Sequence, residues 1–111
     1  TENFKSLASR PDTLLKILDR CEGQVGLCAD FGNYKGETKF DDLAAILPRA
    51  TSIHTKADYC EDGKMDRDSF LRCMNLTREA DFEGPYSLIF QDKGQEWEYL
   101  NELKQEVSPF L

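Results

Sequence analysis

Histidine is nearly absent from this chain. His54 is the only one in 111 residues, which excludes any site built on several imidazoles. Basic residues are in the minority as well: 14 Lys and Arg stand against 21 Asp and Glu, for a formal net charge of −7. That balance supplies no face basic enough to neutralise a run of phosphates, so nucleic acid is not an expected partner. No apolar run approaches the roughly 20 residues needed to span a bilayer, and no charged-then-apolar leader opens the chain. The expectation is a cytoplasmic protein with no membrane partner. Cysteines are few, and Cys21, Cys28, Cys60 and Cys73 include no C-x-x-C pair; their spacing matches no zinc ribbon or finger, and reduced thiols are expected.

What is present is enough for one small folded domain. Hydrophobic residues make up 40% of the chain, and no linker or low-complexity tract divides residues 1–111, which are read as a single segment. The chain begins Thr1-Glu2-Asn3-Phe4, without methionine, and is expected to be a piece of a longer protein.

Ser9-Arg10-Pro11-Asp12 has the form of a capping box with proline in the first turn, and Leu14, Leu15, Ile17, Leu18 and Cys21 follow at helical spacing. A helix over about 10–22 is predicted, ending at Gly23. Val25 to Phe31 is a short apolar run with the length and flanks of a buried strand. Thr38-Lys39-Phe40-Asp41 repeats the capping form before the stripe Leu43, Ala44, Ile46, Leu47, which Pro48 cuts short. Thr51 to Thr55 reads as a β-branched strand, and a helix starts near Asp66 and carries Phe70, Leu71, Cys73, Met74 and Thr77. After the turn at 81–85, Tyr86 to Phe90 is a further strand, and a last helix over about 95–107 sets Trp97, Leu100, Leu103 and Val107 on one packing face. Strands alternating with helices in this way make parallel βαβ units, so the fold class is α/β.

In parallel α/β folds, ligands bind where the carboxyl ends of strands meet the following loops. Asp30 and His54 end their strands, and Glu2 sits in the stub before the first helix. Period-two alternation with Asp30 inward turns Cys28 and Gly26 inward and Val25, Leu27 and Ala29 toward helices. With His54 inward, Ser52 and Lys56 follow it and Ile53 packs outward. Two carboxylates and an imidazole converging there form a mixed oxygen and nitrogen set suited to Mn²⁺, Mg²⁺, Co²⁺ or Zn²⁺. The competing reading is of ordinary polar residues near loops, satisfied by backbone or water. Phe31 and Tyr34, beside the expected mouth, either line a ligand pocket or pack within their loop. The acidic run EDGKMDRD at 61–68 is read as a solvated loop.

Taken together, VGLCADFGNYKG, FDDLAAILPRATSIHTKADY and GKMDRDSFLRCMNLTREADFEGPYSLIF resemble, in order and spacing, the C-terminal half of the sugar phosphate isomerase and epimerase family. These proteins share the xylose-isomerase-like TIM barrel with the type-two apurinic endonucleases. The resemblance implies a (β/α) barrel of which this chain holds about half, four βα units. It implies a divalent metal held by Glu2, Asp30 and His54, with Glu2 and Lys56 acting in proton transfer through an enediolate and Asn33 close to a small sugar or keto-polyol substrate.

Two positions depart from the family pattern. Where its fourth ligand, a glutamate, is expected, this chain has Ile89, which neither binds a metal nor moves a proton; Gln91 is the nearest inward alternative. Ala57 is inserted between Lys56 and Asp58, which leaves the role of Asp58 open. Both an isomerase or epimerase and a non-catalytic barrel segment that has lost its metal therefore remain open. A TIM barrel commonly takes about 250 residues; half of one leaves two sheet edges and an apolar sheet face exposed, so either a homodimer or a missing N-terminal half is expected to complete it.

Overall fold

The computed structural model describes all residues 1–111. Helices α1 (Pro11–Arg20), α2 (Lys39–Ile46), α3 (Arg67–Glu79) and α4 (Glu96–Val107) alternate with strands β1 (Leu27–Asp30), β2 (Ala50–Lys56) and β3 (Tyr86–Ile89). The strands form one parallel sheet in the order β1-β2-β3. Glu2 adds a parallel bridge to Cys28, and the Cys28 N–H donates to the Thr1 carbonyl at 2.7 Å. The N-terminal stub thus lies beside β1 as the start of a further parallel position. No helix is long and apolar enough to cross a membrane.

Alternation sorts the residues within the strands as expected, but Val25, expected against the helices, lies before the start of β1 and is 37% exposed. Leu27 and Ala29 of β1 and Ile53 and Thr55 of β2 are buried, and they meet Leu14, Leu18, Leu43, Ile46, Phe70, Met74 and Leu103 from the helices. Cys28, Ser52, His54, Lys56, Ser87 and Ile89 point the other way and keep some exposure. That second face is not the apolar surface expected of half a barrel. Ile89 and Cys28 are its only weakly polar members; of the exposed large hydrophobic residues, Phe4 borders the cleft at its strand ends, while Leu7, Val25, Trp97 and Leu111 line no part of that cleft.

The local signals were met unevenly. The box at Ser9 does not form: Arg10 is the N-cap with no side-chain cap, the Ser9 hydroxyl donates to the Ser6 carbonyl, and Thr13 donates to the carbonyls of Leu7 and Arg10. Thr38 stands at the N-cap of α2, but its hydroxyl bonds the Asp42 carboxylate. The working cap is Asp66, which accepts the Ser69 N–H at 3.1 Å and starts α3. Pro48 does end α2, within a 3₁₀ turn at Leu47–Arg49. Trp97 is a correction: it is 78% exposed and packs against nothing in the core, because it lies in the first turn of α4 and about 90° around the helix from the centre of the Leu100, Leu103, Val107 stripe.

Candidate metal centre

A shift in register early in the β1–β2 ladder, where Leu27 pairs with Ala50 but Cys28 with Ser52, sets Asp30 directly opposite His54. Asp30 is held on every side. Its backbone N–H donates to Asn3 Oδ1 at 2.7 Å, and its carbonyl accepts from Asn3 Nδ2 at 3.1 Å. The Asn3 amide, itself fully buried, therefore stands in for a neighbouring backbone and extends the sheet at the point where strand pairing runs out. One carboxylate oxygen, Oδ1, accepts the Gly32 N–H at 2.7 Å, which leaves Oδ2 facing His54. Burial is the main cause that raises the Asp30 carboxyl above its ordinary value, with the Glu2 charge adding to it, while the Gly32 N–H, Lys56 and His54 pull the other way.

His54 Nδ1 lies 3.4 Å from Asp30 Oδ2 and 3.8 Å from Glu2 Oε1. Donors held 2.0–2.2 Å from a common ion stand about 3.0–3.5 Å apart, so these separations, long for hydrogen bonds, are close to those of shared ligands. One donor atom from each of Glu2, Asp30 and His54 lies within 4.8 Å of the others. Asn33 Nδ2 donates to Glu2 Oε1 at 2.8 Å, the kind of outer contact that orients a ligating carboxylate. Two carboxylates and one imidazole fit a divalent cation of the Mn²⁺, Mg²⁺, Co²⁺, Zn²⁺ group.

These three residues line a cleft of about 340 Å³ with Phe4, Asn33, Lys56, Ile89 and Gln91. Lys56 runs along its floor. A Cβ at Gly32 would come within 2.5 Å of Lys56 Cδ and 2.7 Å of Cγ, so glycine at this position makes room for the lysine stem. Ile89, in register with Lys56, brings an alkyl side chain to the wall where a further carboxylate was expected, and Gln91 is the nearest polar side chain from that strand.

Of the residues placed here by sequence, Glu2, Asp30, Asn33, His54 and Lys56 meet in one cleft. Phe31 and Tyr34 do not. β1 ends at Asp30 and Phe31 opens a 3₁₀ turn, stabilised by the Asp30 side chain accepting from Gly32. The turn breaks the alternation, and the Phe31 ring folds into the core edge-on to Phe70 at 6.1 Å. Tyr34 is 5% exposed, and burial pushes its hydroxyl up to about 12. Both are packing residues rather than a pocket wall.

The inserted Ala57 is 8% exposed, among the core residues, and Asp58 beyond it joins Lys35 and Lys39. This pair of contacts ties the end of β2 to the loop after β1 and to α2. Burial alone would push the Asp58 carboxyl up, but the hydrogen bonds from Lys35 and Lys39 outweigh it and hold the group below its ordinary value. Two residues that matter here went unassigned by sequence reasoning. Asn3 had a usable signal, an amide directly after Glu2; Lys39 had only the misread capping form.

Comparison with protein-family models gives no match to this chain, and comparison with curated proteins gives none either.

Proposed function

We propose that this chain is part of a sugar phosphate isomerase and epimerase-like protein of the xylose-isomerase-like barrel type, in which Glu2, Asp30 and His54 hold one divalent cation. The observation that carries this reading is the convergence of three ligand atoms within 4.8 Å, two of them near the carboxyl ends of the adjacent parallel strands β1 and β2 and one from the stub bridged to β1. When bound, such an ion supplies Lewis-acid stabilisation of the enediolate that develops as a proton leaves the carbon beside a carbonyl. Glu2, 36% exposed and steered by Asn33, is placed to take that proton and return it. Lys56 brings a positive charge to the same cleft, where it favours developing negative charge on a substrate oxygen. The substrate class is a small sugar or keto-polyol.

Ile89 favours one variant of this chemistry over the other. Epimerisation needs a base on each face of the reacting carbon, and isoleucine is no base; a single base that works on one face supports aldose–ketose isomerisation. Incubating the metal-loaded protein with small ketoses and aldoses in deuterium oxide tests this: one deuterium incorporated beside the carbonyl, lost in Glu2→Gln, is the expected result. The alkyl wall at Ile89 also favours a second reading, a non-catalytic barrel segment, and no incorporation with any of these sugars selects it. In either case the unpaired edge of β3 favours completion of the sheet by a second copy. Light scattering at micromolar concentration tests the homodimer: a strictly monomeric mass rejects it.

A further inference from the structure

The cleft at the metal-ligand trio does not end at Gln91. Lys56, Ile89 and Gln91 also line a second cavity with Lys35, Asp58, Tyr59, Phe90 and Asp92, and Tyr59, Phe90 and Asp92 in turn line a third of about 390 Å³. Neighbouring members share lining residues, so the three cavities form a series from the trio to the aromatic rings. Its far end is built differently from its near end. Phe90 and Tyr99 stack at 4.4 Å between centroids with planes 15° apart, and Tyr59 stands edge-on to both, at 5.5 and 5.1 Å. Tyr99 is fixed by donating to the Gly63 carbonyl at 2.8 Å. Around these rings the cavity is lined by Glu61, Asp92, Lys93 and Gln95. The Tyr59 hydroxyl is buried with no partner inside the chain, an unmatched polar group in a side chain that lines these cavities.

We propose that this aromatic end is a subsite for a neutral pyranose ring, so that the series of cavities takes a substrate of two linked sugar units, one at the Glu2, Asp30, His54 trio and one against Tyr59, Phe90 and Tyr99. An aromatic face packs against the C–H groups of a pyranose, while carboxylates, an amide and an ammonium at the rim exchange hydrogen bonds with its hydroxyls. A phosphorylated or otherwise anionic group fits poorly, because Glu61 and Asp92 outnumber Lys93 at this end. A purely apolar ligand would leave those same polar groups without partners. Placing the first sugar unit at the trio rests on the reading above; the ring subsite itself does not.

The test is saturation-transfer NMR on the metal-free chain with methyl glucoside, maltose, cellobiose and, as a control, phenol. Transfer to ring C–H protons of at least one sugar is expected, with affinity reduced at least tenfold in Tyr99→Ala and at least threefold in the exposed-loop variant Lys93→Ala, whose fold is checked by circular dichroism. Asp30→Asn should leave sugar binding within twofold. No transfer to any of the sugars overturns the subsite, as does transfer to phenol alone or sugar binding indifferent to both Tyr99→Ala and Lys93→Ala. Sugar binding retained in a chain that takes up no metal supports the subsite and refutes the metal reading. Metal uptake without sugar binding does the reverse.

Discussion

Removing the charge of Asp58 should cost more stability than any other single carboxylate change. Lys39 is almost fully buried, with its side chain 6% exposed, and its ammonium lies 2.6 Å from Asp58 Oδ2. At an effective dielectric of about 20, the attraction at that separation is roughly 6 kcal/mol, and desolvation of both groups offsets much of it. Asp58 is 27% exposed and is shared with the more exposed Lys35, which reduces the net figure further. What remains in Asp58→Asn is a buried lysine without its anion, worth about 2–4 kcal/mol of lost stability, or roughly 10–25 °C in Tm for a domain of this size.

Urea unfolding followed by circular dichroism, on the wild type, Asp58→Asn, Lys39→Met and the double variant, measures this loss directly. The double variant should recover at least half of the loss, since it leaves no uncompensated charge inside. The dependence on pH has a definite sign. The folded pKa of Asp58 is lowered by its lysines, so its contribution is complete above the unfolded value, about 3.9, and disappears as pH falls through the lower folded value. The gap between wild type and Asp58→Asn should therefore be constant from pH 5 to 7 and close in stronger acid. A variant within 0.5 kcal/mol (about the scatter of a surface change) at pH 7, or a gap that widens in acid, would refute the reasoning.

Other consequences are smaller in scale. Gly32→Ala places a methyl within 2.5 Å of Cδ and 2.7 Å of Cγ of Lys56; the stem must leave its place beside Gly32, so stability should fall by about 1–3 kcal/mol, while acetylation of Lys56 in the folded protein becomes faster than in wild type. Trp97→Ala should leave the unfolding midpoint within about 0.5 kcal/mol of wild type, given its 78% exposure. Thiol labelling at pH 8 should separate the cysteines: Cys60 is exposed and reacts at once, whereas Cys73, 1% exposed and pushed up by burial to about 11, reacts only on unfolding.

Much of the layer structure was legible because it depends on alternation and helical periodicity, both local properties of the chain. Ile53 and Leu27 face the helices, and His54 and Lys56 face away, for that reason alone. The convergence of Glu2, Asp30 and His54 was legible one step further on, from the rule that parallel strand ends gather their ligands. What periodicity does not carry is how a strand stops. Phe31 continues an apolar run in sequence, yet one hydrogen bond from Gly32 to Asp30 turns the chain and sends the ring into the core. Trp97 shows the converse, a residue at helical spacing in a turn that extends beyond anything to pack on. Lys39 and Asp58 are 19 residues apart, and nothing local to either announces the pair.

The central claim, that Glu2, Asp30 and His54 form a cation site, is tested most directly by titrating the metal-free protein with Co²⁺ and following its visible absorption. One equivalent should bind with a spectrum set by nitrogen and oxygen ligands, and Asp30→Asn and His54→Ala should each abolish that spectrum while the fold, read by circular dichroism, is kept. No bound Co²⁺ at millimolar concentration, or a spectrum unchanged by both substitutions, would contradict it.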